Sequence, residues 1–143
     1  MRRLVAFSLV LAAILAVMSV GPASAGTRQD VTITVTELFA SDPDEFTSSI
    51  PGCTEGLVYT GGKVVFTPAP GIFAGYKLFD CDGGGETGFL VRLNALFGPD
   101  GSVGTWSIVD AWGDLAGLSG SGKLTGDPIE GGIIDNYVGT LTF

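Results

Sequence analysis

Beyond residue 25 the chain shows no helical periodicity. Short β-rich runs alternate instead with glycine and proline. Val31-Thr32-Ile33-Thr34-Val35-Thr36 alternates apolar residues with threonine, the period-two pattern of a half-buried strand. Residues 57–60 and 63–67 flank Gly61-Gly62 and read as a hairpin, because two glycines supply the positive φ angles that a two-residue turn demands. Residues 72–79 and 88–97 read as two more strands, separated by Asp82-Gly83-Gly84-Gly85, and Gly98-Pro99-Asp100-Gly101 is a turn by its local chemistry. Strands over 102–110, 120–125 and 136–143 complete the set, while 41–51 reads as a long acidic loop. About eight strands at a spacing of about 8–12 residues predict an all-β, antiparallel eight-stranded barrel, with a β-sandwich as the alternative. The 23 glycines favour the barrel, since small closed sheets need glycine where strands bend or backbones approach closely.

The strand over 88–97 has two different faces. Phe89, Val91, Leu93, Ala95 and Phe97 form an apolar one that packs a core. Leu90, Arg92, Asn94 and Leu96 form a mixed one, so Arg92 and Asn94 either meet water or line a polar spot in a cavity.

The first 25 residues have another character. Arg2 and Arg3 precede an uncharged apolar run over 4–20, and Ala23-Ser24-Ala25 places small residues where a signal peptidase cuts. This predicts a signal peptide over 1–25, a single domain over 26–143, and a secreted, extracellular product. Removing 25 of the 143 residues leaves 118, enough for one core. All 15 acidic residues stay, against five basic ones (Arg28, Lys63, Lys77, Arg92 and Lys123), a net charge of −10. That sign repels phosphate backbones and anionic membranes, so nucleic-acid binding is not expected, nor is a membrane span after cleavage. Cys53 and Cys81 are the two cysteines, and an exported chain meets an oxidising compartment, so they are expected to pair.

Known catalytic patterns are absent. With no histidine, Ser-His-Asp and Cys-His arrangements are impossible, and so are the usual zinc sites. No cofactor is expected from any motif, with one weak exception. Asp80, Asp82 and Glu86 have the alternating carboxylates that calcium takes, although the twelve-residue calcium loop is not there. Asp42, Asp44 and Glu45 could complete such a site if the disulfide drew the two acidic segments together. The plainer reading is an acidic glycine-rich turn. The aromatics are the better lead. Phe66, Phe73, Tyr76, Phe79, Phe89, Phe97, Trp106, Trp112 and Tyr137 either fill a small barrel or line an apolar cavity for a small hydrophobic ligand. In the second case Tyr76, Arg92, Asn94 or Tyr137 would fix the ligand's polar end, and Trp106 would lie against it.

The stretch from Gly104-Thr105-Trp106 through Gly113-Asp114-Leu115-Ala116-Gly117-Leu118 to Gly120-Ser121-Gly122, followed by Tyr137-Val138-Gly139, resembles the signature of the allene oxide cyclase and dirigent-like barrel group. That group includes secreted bacterial members with a domain of unknown function. Ala111-Trp112 stands where the group usually has Gly-Thr. The resemblance implies an eight-stranded barrel, a homo-oligomer (a trimer), and an isomerase or cyclase as one function. Read from its own residues, Asp114-Leu115-Ala116 makes one helical turn, with Asp114 as the acceptor near its start and Gly117 ending it. Leu115 and Leu118 then tuck inward and plug one end. Three functions compete. Favoured is non-catalytic binding of a small apolar or amphipathic molecule. Next comes the isomerase, and last a cell-envelope or extracellular interaction protein with a filled barrel.

Overall fold

The structure, a computed structural model, describes residues 26–65 and 70–143. The predicted signal peptide over 1–25 and Phe66 lie outside the described residues. Eight strands follow in chain order: β1 Arg28–Leu38, β2 Asp44–Ile50, β3 Cys53–Val65, β4 Gly71–Asp80, β5 Gly88–Gly98, β6 Gly101–Trp112, β7 Ser119–Ile129 and β8 Gly132–Thr142. Each pairs antiparallel with the next, and β8 closes on β1 from Arg28↔Thr142 to Leu38↔Gly132. The fold is therefore an up-and-down β-barrel rather than a sandwich, and closure leaves no unpaired sheet edge.

Alternation decides which side chains enter the lumen. From β1 come Val31, Ile33 and Val35; from β5, Phe89, Val91, Leu93 and Ala95; from β8, Tyr137 and Leu141. All are buried. One half of the lumen is packed with rings. Phe79 stacks on Phe89 at 4.6 Å and meets Phe46 and Tyr137 edge-on at 5.0 and 5.8 Å. The Trp106 indole fits because its neighbours on β7 and β8 are glycines: a Cβ at Gly122 or Gly139 would stand 2.8 or 2.7 Å from it. Trp106 Nε1 donates to the Lys123 carbonyl at 3.0 Å. At the end of this half, a 3-10 turn over Gly113–Leu115 buries Leu115, with Leu118 beside it, and closes the barrel. Cys53 and Cys81 are joined there, with Cα atoms 5.0 Å apart. The separation of 28 residues implies a stabilisation of about 3–4 kcal/mol on the chain-entropy account.

Three local expectations are corrected. Gly61-Gly62 is not a turn; both lie inside β3, opposite Tyr76 and Gly75. The strands approach so closely there that a Cβ on Gly75 would stand 2.7 Å from the Gly62 Cα. The predicted acidic loop is largely strand, because Asp44, Phe46 and Ile50 all turn inward and are buried. Asp114 caps nothing: the turn has no side-chain cap, and the Asp114 amide donates to Thr87 Oγ1 at 3.4 Å. Among the described residues no helix is long and apolar enough to cross a membrane.

Candidate functional site: a cavity at the open end of the barrel

In an up-and-down barrel the even-handed connections share one end. The β1–β2, β3–β4, β5–β6 and β7–β8 connections lie opposite the plugged end. Toward these loops the inward positions become small: Ala95 on β5, Ser102 and Gly104 on β6, Gly126 on β7. An eight-stranded barrel is only just wide enough for side chains to fill it. Small residues in its upper half therefore leave a cavity of about 630 Å³. Val64, Phe73, Leu93, Leu124 and Ile133 are among its apolar walls, and Phe39 and Pro99 stand at its mouth.

Polar groups converge on the cavity from five strands. Lys77 of β4 faces inward on the same side as Phe73 and Phe79, and is only 2 % exposed. Its ammonium binds the Glu37 carboxylate of β1, donates to Thr60 Oγ1 of β3 at 2.8 Å, and sits 5.7 Å from the Phe73 ring centre. Asp135 of β8 is buried and accepts from Ser102 Oγ of β6 at 3.2 Å. Room for that pair is left by Gly126, where a Cβ would overlap both. Burial first, then the negative charge of Glu37 and a hydrogen bond with it, raises the Asp135 carboxyl to about 7. Lys77 and Ser102 pull the other way but do not win. The phenol of Tyr137, one inward position deeper on β8, is pushed well above its ordinary value by burial, and next by Asp135 and Glu37. Its hydroxyl has no hydrogen-bond partner among the described residues.

The residues expected to fix a ligand's polar end are divided by this arrangement. Tyr76, Arg92 and Asn94 stand on the outer wall, opposite in parity to Lys77 and Leu93, and none of them reaches the lumen. Tyr137 and Trp106 are inside, but in the packed half. Sequence reasoning missed Glu37, Lys77, Ser102 and Asp135. The signal was parity: Glu37 continues Val31-Ile33-Val35, Lys77 lies between Phe73 and Phe79, and Asp135 precedes Tyr137 by two.

The suspected calcium residues are arranged around their own loop. Asp80 Oδ1 accepts from the amides of Asp82, Gly83 and Gly85 at 3.3, 3.0 and 3.2 Å. Asp82 accepts from the amides of Gly84 and Thr87 at 2.9 and 3.1 Å. The Gly84 amide is the chief reason that the Asp82 carboxyl is held below its ordinary value. Glu86 is exposed. Of the second acidic group, Asp42 is exposed in the β1–β2 loop and Asp44 is buried and accepts from the Leu38 amide and the Ser41 hydroxyl, whereas Glu45 pairs across β2–β3 with Leu57, itself opposite Asp80, and borders one surface hollow with Asp82. Among the described residues no group of three or more Cys, Asp or Glu side chains is placed to hold a metal ion.

No family model matches the sequence, and no curated protein and no solved structure matches it.

Proposed function

We propose that this protein is a secreted, non-catalytic carrier or receptor that binds one small amphipathic molecule in the open half of its barrel. One observation carries the reading: a cavity of about 630 Å³ with apolar walls and a compact polar cluster, above a half packed solid and plugged. Ligand sites are typically of this size and composition. The signal-peptide pattern of the first 25 residues and the net acidity support action outside the cell. A neutral fluorescent probe, N-phenyl-1-naphthylamine, tests the reading. It should bind once per chain and saturate. Ala95→Phe, which places a ring in the cavity, should weaken it at least about tenfold while the folded near-ultraviolet spectrum is kept. No saturable binding, or equal binding by both proteins, would overturn the proposal.

A second reading, an isomerase, has one observation in its favour. Asp135 titrates at about 7 beside an ammonium in an apolar cavity, and such a group can take and return a proton near neutral pH. On that reading, Asp135→Asn abolishes turnover of a bound substrate without abolishing its binding.

A further inference from the structure

We propose that the cavity selects cationic amphiphiles, a protonated amine on an apolar body, with the ammonium seated against Asp135 and Glu37. The inference rests on the cavity being a ligand site and names the class of ligand it takes. The cluster contains two carboxyls and one ammonium. That ammonium is already bound by Glu37 and Thr60 and faces the Phe73 ring. Asp135 has a hydroxyl donor, Ser102, but the Lys77 cation is committed to Glu37. An entering carboxylate would add a third negative group in a desolvated place. An entering ammonium would instead balance the second carboxyl.

The rim carries the same sign independently. Asp42 in the β1–β2 loop, Asp100 in the β5–β6 turn and Glu130 in the β7–β8 turn are all exposed at the open end. Acid around a low-dielectric mouth draws cations toward it. The charged and titratable groups facing Asp135 are Glu37 from β1, Lys77 from β4 and Tyr137 from its own strand. On β2, Asp44 is engaged by the Leu38 amide and the Ser41 hydroxyl. From β3 and β6 come the neutral Thr60 and Ser102, and from β5 and β7 only apolar residues line the cavity.

Calorimetric titration with decylamine, decanol and decanoate separates the possibilities, since the three differ only in the head group. At pH 8, decylammonium should bind once per chain and at least about tenfold tighter than decanoate. Decylamine keeps its charge at pH 6, with a pKa near that of lysine, about 10. Its affinity should therefore fall about fivefold or more between pH 8 and pH 6, where Asp135 gains a proton, while that of decanol stays level. Asp135→Asn should remove the ammonium preference and keep decanol binding, which also reports that the variant is folded. If it does not fold, the triple variant Asp42→Asn, Asp100→Asn, Glu130→Gln should weaken decylammonium several-fold and leave decanol unchanged. Decanoate binding as tightly as decylammonium would overturn the inference while leaving the ligand site standing. Several ammonium ions per chain would overturn it too, by assigning binding to the acidic surface. Failure of all three compounds would instead remove the ligand site itself.

Discussion

At the scale of the residue, two buried ionisable groups, Asp135 and Lys77, set the character of the cavity. Asp135 has its carboxyl raised to about 7 from an ordinary 3.8, so between these values the folded state holds a proton that the unfolded state has released. Stability contributed this way is present below about pH 4 and lost as the pH rises to about 7, on the order of 2–4 kcal/mol in all. Urea midpoints of the ligand-free protein at pH 5, 6, 7 and 8 should accordingly fall, and Asp135→Asn should flatten the fall. An unchanged slope in the variant would assign the titration elsewhere. Lys77 gives the complementary prediction. Lys77→Met strands two carboxyls in the lumen and should cost about 3–5 kcal/mol, as removal of one partner of a buried pair does. Adding Glu37→Gln should return most of that loss, and simple additivity of the two would contradict the coupling.

Elements show why some of the barrel was legible in the sequence and some was not. Where glycines meet across β3 and β4, Gly75→Ala would drive a Cβ into the Gly61 carbonyl and against the Gly62 Cα, backbone atoms that cannot turn aside. It should destabilise by about 1–3 kcal/mol, the cost of overpacking, measured by urea unfolding. A loss under a few tenths would mean that the strands separate easily there. This contact also explains the misreading of Gly61-Gly62. Glycine has two uses, turn and close approach, and local sequence does not distinguish them. β1 and β5 were legible because their inward residues are uniformly apolar over several steps. β2 was not, since its inward set begins with an aspartate and its outward set is Glu, Thr and Ser. The plug over 113–118 was legible through Leu115, Gly117 and Leu118. The cavity's polar groups were not, because lysine, glutamate and aspartate are read as surface residues unless strand parity is followed through them. Arg92 and Asn94 were drawn into the candidate site by chemistry when parity placed them outside.

The whole molecule is a barrel divided between a filled half and an open half. Five rings, the disulfide and the leucine plug hold one half. Small inward residues and a charged cluster occupy the other. The outer wall offers a rival surface, since Val65, Ile72, Leu96 and Val103 run as an exposed apolar row across β3 to β6. Methyl-resolved NMR during titration with decanol discriminates the two most directly. Binding in the lumen predicts shifts at Val64, Leu93, Leu124 and Ile133, with Val31, Ile50 and Leu141 of the packed half unmoved. Shifts confined to Val65, Ile72, Leu96 and Val103 would contradict it and move the ligand from the lumen to the outer wall.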